Sequence, residues 1–139
     1  MHNKILAFVL CLLTFAALPA MARQTVPIVN IDNTPVVSAE AKKLSAAQVL
    51  QAIKAAVISQ GWTVSNVADG VVTASILVRQ KHTVIVDIIY DADKYSIHYK
   101  DSVNMKYLKN SGGDEVIHPF YNKWVATLND AIRLELSKL

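Results

Sequence analysis

At Gly61 the apolar residues of this chain change their period. Before it, Val49, Leu50, Ile53, Ala56 and Val57 recur at helical spacing, with Gln51, Lys54 and Gln60 opposite. After it, apolar and polar residues alternate through four runs, "WTVSNV", "VVTASILVR", "HTVIVDIIY" and "KYSIHYK". The runs are separated only by short turns around Asp69–Gly70, Gln80–Lys81 and Asp91–Asp93. Strands joined so tightly pair antiparallel, because a parallel pair needs a crossover of about a dozen residues.

The helix ahead of Gly61 is fully punctuated. Ser45 and Gln48 form a capping box, Leu44 staples onto Val49, and Gly61 supplies the left-handed stop. A second helix is predicted from Pro119, a favoured first position. It carries Phe120 or Tyr121, Trp124, Val125, Leu128, Ile132 and Leu136 on one face, with Lys123, Asn129 and Arg133 opposite. Between the last strand and this helix, "DSVNMKYLKNSGGDE" reads as a loop broken by Gly112 and Gly113. The order α-β-β-β-β-α predicts an α+β two-layer sandwich: a four-stranded antiparallel meander with the N-terminal and C-terminal helices on one face.

Three segments are expected: residues 1–22 as a signal peptide, 23–43 as an extended N-terminal arm and 44–139 as a single α+β domain. Lys4, the apolar run "ILAFVLCLLTFAAL" and "AMA" match the three parts of an export signal cleaved near Ala22. The run falls short of the roughly 20 apolar residues that a spanning helix needs. The arm holds Pro27 and Pro35, so it is either an edge strand, where proline is tolerated, or a loose tail.

Cys11 is the one cysteine of the chain and leaves with the signal, so disulfides, thiolate metal sites and a cysteine nucleophile are excluded from the exported protein. Its place in mid-run also argues against lipidation. The formal net charge is only +3, and losing Lys4 lowers it further, which gives no ground for nucleic-acid binding.

"GWTV", "ILVRQKHTVIVDIIYD", "YSIHYKDSVNMKY" and "IHPFYNKWVATLNDAI" resemble a family of small exported proteins of Gram-negative bacteria, many of them lipoproteins. The shared positions are Arg79 and His82; Tyr95, Ile97, Tyr99, Ser102 and Asn104; and Ile117, His118, Tyr121, Asn122 and Trp124. The resemblance implies a periplasmic location and a common fold, and no reaction. The chain departs from the family in lacking the lipidation cysteine.

Register governs the next step. If Ala92 and Asp93 alone make a turn, Tyr90 faces Tyr95, Ile88 faces Ile97, Val86 faces Tyr99, and Asp87 lies across from His98. A three-residue turn instead places His98 opposite Val86. The first register is preferred, because it keeps the apolar set on one face. Asp87 beside His98 is then an ordinary surface pair or, less favourably, a catalytic dyad.

A two-residue turn at Gln80–Lys81 would put Arg79 beside His82, with Lys81 at the tip. Such a basic cluster either solvates the hairpin or holds a carboxylate or phosphate. His82, His98 and His118 lack metal-ligand spacing, and nothing resembles a nucleophile elbow around Ser102. His118, just before Pro119, is expected to cap the helix; Ser102 and Asn104 are expected to satisfy backbone groups in the turn leaving the fourth strand. Trp124 is expected in the core. Lys106 and Tyr107 sit in a lysine-rich loop whose composition suits an acidic partner or an anionic head-group surface.

The candidate binding residues are therefore Arg79, His82, Asp87, His98, Lys106 and Tyr107, with no cofactor or metal. The expected function is a non-enzymatic periplasmic binding module for an unknown envelope protein or envelope component. The alternative is a small-ligand binder or enzyme using the sheet-face Arg79, His82, Asp87 and His98. Peripheral membrane contact through the lysine-rich loop and homodimerisation through the fourth strand's edge are further expectations.

Overall fold

A computed structural model describes residues 24–139. The predicted signal peptide lies outside the described residues. Along them run β1 (Val26–Pro27), β2 (Ile31–Pro35), a 3-10 turn at Ala39–Ala41, α1 (Ala46–Ser59), β3 (Thr63–Ala68), β4 (Val71–Val78), β5 (His82–Tyr90), β6 (Lys94–Val103), β7 (Leu108–Lys109), β8 (Glu115–Ile117) and α2 (Phe120–Ser137).

The protein is α+β with an antiparallel sheet, but it is not a lone four-stranded meander. β3 to β6 pair in chain order, and β2 then adds to β6, giving a five-stranded sheet of order β2-β6-β5-β4-β3. β1, β8 and β7 form a second, three-stranded sheet. The arm is thus an edge strand, with Pro35 at its end, where a missing N–H does least harm. It covers the edge of β6 that had been expected to pair with a second copy. The supposed loop after the fourth strand contains β7 and the first residue of β8, strands too short to show a period of their own.

The helix ends form as the sequence predicts. The Gln48 N–H donates to Ser45 Oγ at 3.2 Å, the Ser45 N–H donates to Gln48 Oε1 at 2.9 Å, and Gly61 adopts φ +77°. Val49, Ile53, Ala56 and Val57 of α1 are buried together with Val125, Leu128, Ile132 and Leu136 of α2. Val72, Ala74, Val84, Val86, Ile88, Tyr95 and Ile97 complete this core from one face of the sheet. Each large aliphatic side chain buried there contributes about 1.5–3 kcal/mol relative to exposure.

The β5–β6 turn holds two residues, as preferred: Tyr90 faces Tyr95, Ile88 faces Ile97, and Val86 faces Tyr99. Asp91 secures it. Its Oδ1 accepts the N–H groups of Asp93 at 2.7 Å and Lys94 at 2.9 Å, and these bonds hold the Asp91 carboxyl below its usual range. Beyond Ile85 a bulge shifts the ladder, so that Ile85 faces Asp101.

The β4–β5 turn corrects the expectation. Val78, not Arg79, pairs with His82, so the turn holds Arg79, Gln80 and Lys81. Arg79 and Gln80 both take left-handed backbone, φ 54° and 56°, and the Lys81 N–H closes on Val78 O at 3.1 Å.

Candidate functional site

Three segments meet at one end of the sheet: the β4–β5 turn, the chain leaving β6, and the start of α2. Asn104 stitches the first two. Its main-chain oxygen lies 2.8 Å from His82 Nδ1, and its side-chain amide donates to Lys81 O at 2.9 Å. The third is tied in by the His118 N–H, which donates to Met105 O at 2.8 Å, Met105 itself being buried. His118 then caps α2, its Nδ1 accepting the Phe120 N–H at 3.1 Å, as expected from its place before Pro119.

These bonds assign ring protons. A carbonyl oxygen can only accept, so His82 carries a proton on Nδ1, and its Nε2 is directed away from Asn104. His118 accepts at Nδ1, so its neutral ring is protonated on Nε2.

His82 is the shared wall of two recesses. One, of about 270 Å³, is lined by Val78, Arg79, His82, Phe120, Lys123 and Trp124. The other, of about 520 Å³, is lined by Lys81, His82, Asn104, Lys106 and His118. The rings run on from one to the next: His82 to His118 at 6.5 Å between centroids, His118 to Phe120 at 4.6 Å, and Phe120 to Trp124 at 5.8 Å. Lys123 Nζ stands 5.6 Å from the Phe120 ring centre, a cation over an aromatic face.

The electrostatics are one-sided. Arg79, Lys81, Lys106 and Lys123 line the two recesses and no carboxylate does. Among the described residues the ion pairs are His98–Asp32, Lys100–Asp87 and Lys138–Glu135, none of which involves these four cations. Other recesses differ: the one between β2 and the end of α2 contains Asp32, and the one between the helices contains Glu135.

The backbone here is also strained. Arg79, Gln80, Asn104 and Lys106 all adopt φ between 54° and 56°. Asparagine tolerates that region, but for the others the left-handed conformation costs about 1–2 kcal/mol each. Such outliers concentrate where a chain holds side chains for a purpose.

The remaining candidates lie elsewhere. Asp87 and His98 are opposite one another on β5 and β6, yet their side chains do not pair. Asp87 Oδ1 accepts from Thr73 Oγ1 at 2.6 Å and from Lys100 Nζ at 3.4 Å. His98 Nε2 instead meets Asp32 Oδ1 at 2.6 Å. The edge strand β2, one of the two readings of the arm, supplied a carboxylate for His98, and Thr73 supplied a closer partner for Asp87. The recess that joins Arg79 to His82 includes neither Asp87 nor His98.

Tyr107 is exposed but held in place, and lines neither recess. Its ring stacks on Tyr99 at 4.4 Å, and its hydroxyl donates to Glu115 Oε2 at 2.9 Å. Lys106 is brought to His82, as Arg79 is, although Arg79 does not face it across the ladder. Ser102 bonds the Tyr99 hydroxyl at 2.8 Å rather than a backbone group.

Phe120, Lys123, Asn104 and His118 are site residues that the sequence assigned to helix or turn. Trp124, expected in the core, is only half-buried and lines a recess. For His118, Phe120, Lys123 and Trp124 the signal that could have found them is the run of rings around one cation in "HPFYNKW". Among the described residues no three His, Cys, Asp or Glu side chains converge as metal ligands would. Comparison of the chain with protein families, with curated proteins and with solved structures finds no match.

Proposed function

We propose that this protein is an exported, non-enzymatic binding module that holds an anionic group of an envelope component at the end of its sheet. One observation carries this: His82 divides two adjoining recesses whose linings hold no carboxylate and four cations that have no ion-pair partner among the described residues. Like charges gathered in a concave wall repel one another and focus their field on the recess, and an entering anion relieves both effects. The arginine fork gives that anion directional partners, and the doubly protonated ring of His82 adds an Nε2–H donor.

Binding is favoured over reaction by the same linings. They offer no hydroxyl, thiol or carboxylate that could act as a nucleophile beside the imidazole. Export is supported by the leader pattern of residues 1–22, and no described helix is long and apolar enough to cross a membrane. The alternative site, built from Arg79, His82, Asp87 and His98 together, draws no support, since Asp87 and His98 are engaged with Thr73, Lys100 and Asp32.

Titration with inorganic phosphate at low ionic strength, followed by amide NMR shifts, tests the proposal. Saturable shifts are expected at residues 79–82, 104–106 and 118–124, and they should vanish in a variant carrying Arg79→Ala and His82→Ala. Weak, unsaturable shifts spread over every surface lysine would overturn it.

A further inference from the structure

The two recesses differ in chemistry, and that difference specifies a ligand. Resting on the anion-binding reading, we infer that the natural ligand is bipartite: a compact anion joined to a flat apolar ring, straddling the His82 imidazole. The larger recess is polar, with Lys81, Lys106, the Asn104 amide and two imidazoles. It suits a phosphate or carboxylate group. The smaller recess has Phe120 and Trp124 as its aromatic walls, with Arg79 and Lys123 among its lining residues.

Size and linkage agree. A closed apolar cavity of about 150 Å³ holds a benzene ring, so 270 Å³ accommodates one ring or a fused pair. Since His82 lines both recesses, the anion and the ring are joined by a short linker. His82 is then the central contact: Asn104 fixes its Nδ1, and Nε2, a donor in the doubly protonated ring, meets the ligand where its two parts join. Arginine and lysine over a bound ring add cation–π attraction to the charge they give the anion.

The strained turn fits this role. Arg79 lines the aromatic recess from a left-handed backbone, and Lys106 lines the polar recess from the same unfavourable conformation. A plain two-residue type I′ turn of glycine or asparagine would close the hairpin without that cost.

The test compares each anion with its ring-bearing counterpart: inorganic phosphate with phenyl phosphate, and acetate with benzoate, with benzyl alcohol as the uncharged ring. Affinities come from calorimetry, and Trp124 emission reports on the aromatic recess. At least one aryl anion is expected to bind about tenfold or more tightly than its ring-free counterpart, and the pair that shows the gain identifies phosphate or carboxylate as the anion. Phe120→Ala should abolish the gain, so that the aryl anion and its ring-free counterpart bind this variant with equal affinity, and a dispersed amide NMR spectrum reports that the variant is folded. Lys81→Ala with Lys106→Ala should weaken every anion.

If phosphate binds at the cleft but neither aryl anion gains, the bipartite ligand is refuted and the anion-binding module stands. If benzyl alcohol binds as tightly as the aryl anions, the ring alone is recognised and the inference also fails. If no probe perturbs the cleft, both proposals fall.

Discussion

His82 Nδ1 lies 2.8 Å from the main-chain oxygen of Asn104, and the Asn104 amide returns to Lys81 O at 2.9 Å, so one residue holds both the imidazole and the turn before it. The lock depends on a left-handed backbone at Asn104, φ 56°, which turns its carbonyl toward β5.

Substitution at Asn104 separates the amide from the backbone. Asn104→Gly keeps the left-handed conformation and loses only the bond to Lys81, a cost of about 0.5–1.5 kcal/mol. Asn104→Ala also strains the backbone and should cost about 1 kcal/mol more. Urea unfolding of the two variants checks this; equal stabilities would show that the backbone conformation does not matter.

The β4–β5 turn should respond in the opposite direction. Gln80 is exposed, lines neither recess and has φ 56°. Gln80→Gly relieves the strain at some cost in unfolded-chain entropy, for a net stabilisation of about 0.5–1 kcal/mol. Phosphate affinity should stay the same. Arg79→Gly should gain similar stability and lose affinity, and a loss of stability in both would remove strain from the account.

On the open sheet face, double-mutant cycles distinguish neighbours from partners. Asp87 and His98 share a rung but not a hydrogen bond, so their coupling should be near zero. Asp32 and His98, an exposed pair at 2.6 Å, should couple by about 0.2–1 kcal/mol, less at high salt. A larger Asp87–His98 coupling would revive the dyad.

Alkaline pH should unfold the protein through its tyrosines. Burial pushes the Tyr95 hydroxyl up to about 12 and raises Tyr121 as well. A tyrosine whose folded value exceeds its unfolded value of 10.0 contributes fully below pH 10, and that contribution is lost as pH rises toward the folded value. Each such group should remove about 1.4 kcal/mol per pH unit in that window. Unfolding midpoints measured from pH 9 to 12 should fall steeply, and less so in Tyr95→Phe, which cannot ionise although it gives up the bond to Asn129.

How far the sequence reached depended on the distance over which each feature is determined. The capping box at Ser45 and Gln48, the stop at Gly61 and the change of period after it all arise within a few residues, so they could be read directly. The two-residue turn at Ala92–Asp93 was also legible, because only that register keeps Tyr95 and Ile97 on the buried face with Val86 and Ile88. Arg79, His82 and Lys106 were recognisable as candidates because charge crowds into two short loops.

What only the tertiary structure decided lies at long separation. β2 pairs with β6 through Ile31 and Ile97, and Asp32 reaches His98 across 66 residues. From the sequence β2 was only one of two readings of the arm, edge strand or loose tail; the open edge of β6 decides between them. The wrong partner for His98 and the overlooked second sheet share that origin. The site has it too: Arg79, Asn104, His118 and Lys123 belong to three segments, each ordinary alone, that become a cationic cleft because the end of the sheet and the start of α2 pack together. Local chemistry specifies the elements, but their meeting depends on which faces and edges the rest of the chain leaves to be covered.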